Sequence, residues 1–231
     1  MLMTMVETRE VAATARLNMR PAQPEDMSFI VDCIRSAESA GTGRVSYAEI
    51  FGLTPQELDH LLTQLADDDT GQHEHSLNAF YILEREGKPV AGASAWIEGQ
   101  EGLPSGTLKS QVISFALGFD RWRQATEQLK QVASINIARQ TGALQLDGFY
   151  TVPEERGKGH VQMLIHQIVD LKLRQHPELN KAQILLMNEN PAAQKAYRKA
   201  GFEVVRETRT DDTAVIRMLN GSGRVLMEKA L

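Results

Sequence analysis

Tyr150-Thr151-Val152-Pro153-Glu154-Glu155-Arg156-Gly157-Lys158-Gly159-His160-Val161 is the stretch on which the reading of this chain turns. It describes a strand that stops, bends through two glycines and becomes a helix. Upstream, Leu144-Gln145-Leu146-Asp147-Gly148-Phe149 alternates as a strand does. Downstream, Val161, Leu164, Ile165, Ile168 and Leu171 recur at helical spacing. A helix that starts on small, conformationally free residues leaves its first backbone N–H groups without intrahelical partners. Those donors, at the positive end of the helix dipole, suit phosphate oxygens. Arg156 and Lys158 add cationic charge, so the turn points to a phosphorylated ligand.

Working outward, Leu17-Asn18-Met19-Arg20 reads as a first strand ended by Pro21. Pro24-Glu25-Asp26 opens a helix with Met27, Ile30, Val31 and Ile34 on one face, broken by Gly41 and Gly43. Thr54 caps a second helix carrying Leu58, Leu61, Leu62 and Leu65. Ala79 to Leu83 and Pro89 to Ile97 form a hairpin around Glu86-Gly87-Lys88. A long insertion, 98–142, then interrupts the pattern with one helical segment around Val112, Phe115 and Ala116 and another from Trp122 to Ile135. After the glycine turn and its helix, Ala182 to Met187 suits a buried strand. Pro191 starts a helix that Gly201 ends. Phe202 to Val205 and Val225 to Met227 are closing strands, with Ala214 to Met218 a third candidate, and Gly221-Ser222-Gly223 is a turn. Hairpins mixed with strand–helix–strand crossovers imply an α/β fold with a mixed sheet in one domain, 17–231, preceded by a flexible leader, 1–16.

The chain has 231 residues, 42% hydrophobic and 24% charged, with a net charge of −5. That is an ordinary globular composition. The acidic balance argues against nucleic acid and anionic membranes as partners and suits small cationic amines. No apolar run approaches the roughly 18–20 residues of a membrane span, and the single Cys33 fits a reducing compartment. A cytoplasmic location is expected.

Two segments resemble the GNAT-type N-acetyltransferase superfamily. Arg156 to Val161 is similar to the family's Arg/Gln-x-x-Gly-x-Gly/Ala pyrophosphate motif, with Val161 where Gly or Ala is usual. Asn190-Pro191-Ala192-Ala193-Gln194-Lys195-Ala196-Tyr197-Arg198-Lys199-Ala200-Gly201-Phe202 resembles its Asn-x-x-Ala-x-x-x-Tyr-x-x-x-Gly-Phe signature at every anchor position. The resemblance implies a GNAT fold, a mostly antiparallel central sheet flanked by helices, with the helical insertion between strands 3 and 4. It implies acetyl-CoA as acyl donor, no metal, and a primary amine as acceptor. Backbone amides of Arg156, Gly157, Lys158, Gly159, His160 and Val161 would hold the pyrophosphate of coenzyme A. Phe149, Tyr150 and Thr151 would run beside the pantetheine arm and polarise the thioester carbonyl. Asn190 would face the cofactor, and Tyr197 would protonate the departing thiolate. Asp147 is the first candidate for the base and Glu98 the second. Homodimerisation follows from family habit alone.

A rival reading is a GNAT-fold protein that binds or senses acyl-CoA without turnover; an enzyme for a longer acyl-CoA is a third. His73-Glu74-His75 invites a metal site, but two histidines one residue apart read better as loop decoration. Trp96 and Trp122 read as packing residues. Phe115, Phe119 and Trp122 suit packing beside the acceptor, a subunit contact, or the sheet.

Overall fold

The computed structural model of the chain describes residues 17–231; the expected leader lies outside them. Leu17–Pro21 (β1) opens the sheet and pairs antiparallel with Phe80–Arg85 (β2), which turns back into Lys88–Ile97 (β3). Glu86 and Gly87, at φ 52° and 74°, form the two-residue turn between them. Two successive positive φ values match the right-handed twist of the strands they join. Between β1 and β2 lie Met27–Ser39 (α1), Ser46–Phe51 (α2) and Pro55–Ala66 (α3). The Thr54 hydroxyl accepts from the Glu57 amide while the Glu57 carboxylate accepts from the Thr54 amide. Such a reciprocal cap contributes about 1 kcal/mol. Leu61, Leu62 and Leu65 of α3 are fully buried, each worth roughly 1.5–3 kcal/mol of apolar transfer.

The insertion holds three helices: Ser105–Leu117 (α4), Phe119–Gln124 (α5) and Thr126–Ala133 (α6). Gly118, at φ 77°, separates the first two. Then come Leu144–Thr151 (β4), His160–Gln175 (α7), Lys181–Met187 (β5), Pro191–Lys199 (α8), Glu203–Arg209 (β6), Thr213–Leu219 (α9) and Gly223–Ala230 (β7). The sheet order is β1-β2-β3-β4-β5-β7-β6, antiparallel except for the β4–β5 pair. One core lies between the sheet and α1, α2, α3 and α9. The other lies beneath α7 and α8 and includes Leu164, Ile165 and Ile168.

β4 and β5 pair only at Leu144↔Ala182 and Gln145↔Gln183. Buried amides brace that short seam: Gln145 Nε2 donates to Gln183 Oε1 (2.7 Å), and Gln183 Nε2 donates to Glu228 Oε1 (2.7 Å). Beyond it the strands part. That divergence positions the site.

Three details of the sequence reading change. The second helical segment of the insertion is two helices, α5 and α6, and ends at Ala133 rather than Ile135. Ala214 to Met218 is helical, not a strand. Asp212 accepts from the amides of Ala214 and Val215 at its start, and Val215, Met218 and Leu219 bury one face at spacings of three and four. Five residues of mixed character do not distinguish the two periods. Short α2, which buries Tyr47, Ile50 and Phe51, was not foreseen.

Candidate functional site

The gap between β4 and β5 is a cleft of about 540 Å³. Its first wall is the free edge of β4. The Val152 amide donates to Val90 on β3, and successive amides of a strand point to opposite edges. That of Thr151 therefore faces the gap. A bulge shifts the β3–β4 register between Gly92↔Tyr150 and Ser94↔Asp147, with Gly148 inside it at φ 62°. A Cβ on Gly148 would stand 3.2 Å from Phe80 Cζ. Glycine is thus needed for both backbone and space, and the bulge re-aims the last residues of β4.

The opposite wall is α8. Asn190 caps it, accepting from the Ala193 amide at 3.1 Å. Tyr197 is buried, its ring centroid 5.3 Å from that of Phe149. Burial, then the charge of Asp147, pushes the Tyr197 hydroxyl far above its ordinary range, so it stays protonated. Asp147, Phe149, Tyr150, Thr151, Arg156, Asn190 and Tyr197 all line the cleft.

The other residues of the glycine turn, Gly157 to Val161, do not line the cleft; they lead into α7, with Gly159 as its N-cap and His160 and Val161 as its first residues. Gly157 and Gly159 have φ of 77° and 83°, and the first helical bond runs from Met163 N to Gly159 O. The amides of His160, Val161 and Gln162 thus precede it without helical acceptors. Val161 packs its side chain into the core under α7, which leaves its N–H at the turn. The cations differ from expectation. Glu155 takes Lys158 at 2.9 Å and His160 at 2.8 Å, and Arg156 Nε donates to the Thr151 carbonyl.

The face of the cleft toward α1 and α2 holds a polar cluster that the sequence did not reveal. His73, Glu74 and His75 are buried, not loop decoration. Their loop folds inward, closed by the His73 amide on Ser76 Oγ and the His75 amide on His73 Nδ1. His75 Nε2 lies 2.9 Å from Tyr47 Oη and 3.2 Å from Glu38 Oε1. Glu74 pairs with Lys109 of α4. Arg139, at the end of the insertion, donates to Asp147 at 2.8 Å and stacks over Trp96. Burial raises the Asp147 carboxyl even against Arg139. For Glu74, burial pushes upward, but Lys109 and Arg139 overcome it and hold the group well below its ordinary value. Among the described residues no group of three His, Cys, Asp or Glu is placed to hold a metal ion.

Glu98 is not at the cleft. It accepts from Trp96 Nε1, from the Ser105 amide and from Ser105 Oγ, anchoring the start of α4. Of the insertion, Lys109 and Arg139 reach the cleft. Trp122 stacks on Phe51, and Phe115 and Phe119 are 87% and 75% exposed.

The model of the acetyltransferase (GNAT) family matches residues 45–202, more than half of the chain. The chain belongs to the GNAT acetyltransferase family. Its sheet and flanking helices superpose on an N-acetyltransferase from Staphylococcus aureus Mu50 with a TM-score of 0.59, at 15% identity over 91% of this chain and 99% of the other. A GCN5-related N-acetyltransferase from Kribbella flavida gives 0.53, at 16% identity over 93% and 98%. A chimera that includes the spermidine N-acetyltransferase of Vibrio cholerae gives 0.51, at 16% identity over 93% and 95%. At such identities the likeness is one of fold. No curated protein matches the sequence. Among the described residues of this GNAT chain, no helix is long and apolar enough to cross a membrane.

Proposed function

We propose that this GNAT protein moves an acetyl group from acetyl-CoA directly to a primary amine. The observation that carries the reading is the parted β4–β5 edge, with a glycine turn at one end and Tyr197 on its wall. The residues present fit coenzyme A. The start of α7 offers unpaired amides to a pyrophosphate, and the free edge of β4 offers amides to an extended pantetheine arm. Bound there, acetyl-CoA supplies an activated thioester.

The chain's own groups then have distinct tasks. The amide of Thr151 stands ready for negative charge on the carbonyl oxygen, a main-chain contribution that does not depend on side-chain identity. Tyr197, kept protonated by burial, gives its proton to sulfur as the carbon–sulfur bond breaks. Asp147, whose carboxyl is raised by burial, takes the proton from the attacking nitrogen. Asn190 holds the start of α8, and with it Tyr197, in place. Thiol release from acetyl-CoA across amino acids, polyamines, aminoglycosides and peptide N-termini tests the reading. Turnover on an amine supports it. Tight coenzyme A binding without turnover would favour a binding protein, and absence of coenzyme A binding would overturn the assignment.

A further inference from the structure

Each carboxylate of the polar cluster has a partner: Glu38 has the His75 ring, Glu74 has Lys109, and Asp147 has Arg139. Arg224 has none. It stands at the start of β7 opposite Met187 of β5, and it lines the same cleft. Glu38, Asp147 and Glu74 are near enough for their charges to act on it. Yet among the described residues no carboxylate comes within 4 Å, and its buried Nε has no acceptor. A guanidinium is a rigid fork of donors that stays charged in proteins. One left unmatched in a low-dielectric cleft marks a place for an anion.

Resting on the amine-transfer reading, we propose that the acceptor carries a carboxylate, which Arg224 binds while the amine lies between Asp147 and Tyr197. The other half of the cleft argues against a polycation. There, Lys109 and Arg139 already occupy Glu74 and Asp147, and a third cation, Arg224, forms no ion pair among the described residues and has no acceptor at its Nε. A single negative charge also fits better than a phosphate dianion, because Glu38, Glu74 and Asp147 line the same cleft. Asp147 and Arg224 stand on strands separated by β5, more than two interstrand spacings of about 4.8 Å each, because β4 and β5 have already parted at Asp147. The Arg224 side chain spans part of that distance, and the acceptor's own chain spans the rest. The surface charge that suggested cationic amines thus does not describe the pocket.

The test uses the intact protein, acetyl-CoA and linear ω-amino acids of two to six carbons, L-lysine and L-glutamate, each against its primary amide, with O-phosphoethanolamine as the phosphate arm. The carboxylate form should exceed its amide in kcat/KM by about 10- to 100-fold, mainly through KM. Arg224→Gln should bring that ratio close to one, and Arg224→Lys should retain part of it. A ratio within one variant is insensitive to the amount of folded protein. Equal use of acids and amides by the unaltered enzyme, or an undiminished ratio in Arg224→Gln, overturns the proposal while leaving amine transfer standing. A preference for the phosphate arm that depends on Arg224 overturns the carboxylate assignment. If no amine turns over, the transferase reading fails separately. Calorimetric titration of the same pairs then decides, and equal or undetectable binding of acid and amide overturns the inference.

Discussion

Replacing Gly148 by alanine tests the architecture of the cleft at one atom. The residue sits at φ 62°, and the added methyl would lie 3.2 Å from Phe80 Cζ and 3.4 Å from Ser94 Oγ. Left-handed backbone costs an alanine about 1–2 kcal/mol. Phe80 is a fully buried ring, and making it yield adds about 1–3 kcal/mol. The total of roughly 2–5 kcal/mol should lower the unfolding midpoint by roughly 4–20 °C for a chain of this size. Gly87→Ala is the control, because its φ is 74° but nothing lies within 4 Å of its added methyl. It carries the backbone cost alone, about 1–2 kcal/mol. Urea and thermal unfolding of the two variants separate the contributions. Thiol release, measured well below both midpoints, should fall by about 100-fold in Gly148→Ala, because the bulge aims the Thr151 amide. Midpoints that coincide for the two variants would refute the packing argument. Full turnover by folded Gly148→Ala would refute the role of the bulge.

Tyr197→Phe should reduce kcat by about 100- to 10,000-fold while leaving coenzyme A affinity near its original value; unchanged kcat across pH would remove Tyr197 as the acid. In pH profiles, kcat/KM should rise through a value above the ordinary aspartate pKa of about 3.9, since burial raises Asp147. Asp147→Asn should abolish that limb, and Tyr197 should produce no alkaline fall below about pH 10. Burial lowers the His73 imidazole to about 4. Between that value and the unfolded pKa of about 6.5, the unfolded chain binds a proton that the folded one refuses. Stability present above about pH 6.5 should therefore drain away toward pH 4 by about 3 kcal/mol. Urea titrations of the unaltered protein and His73→Asn at both ends of that window should differ by this amount.

The features legible in the sequence are those whose cause is local. The Thr54 cap needs one residue three positions on, the β2–β3 turn needs a residue pair, and Asn190 to Phe202 carries a helix with its start and stop. The polar cluster was not legible because it is assembled from afar. Tyr47 meets His75 across 28 positions, and Glu74 meets Lys109 across 35. Charged loop residues usually face water. Only the inward fold of the His73 loop, with partners from other elements, makes His73-Glu74-His75 a buried unit. Glu98 shows the converse: its place at a strand end suggested chemistry, whereas three donors from Trp96 and Ser105 employ it as an anchor. At Val161, the missing small residue concerned the side chain, and that side chain turns into the core.

The short seam between β4 and β5 gives the sheet an uneven stiffness. Two ladder positions and the chain of amides from Gln145 through Gln183 to Glu228 join a four-stranded blade to a three-stranded one. Each blade is a cantilever fixed at that root. The width of the mouth therefore depends on the helices laid across the two faces, and rotation about the root by a few degrees changes the tip-to-tip spacing far more than it disturbs the root. Amide exchange should accordingly be slowest at Gln145 and Gln183 and quicken toward Thr151, which keeps β3 on one side but has no strand on the other.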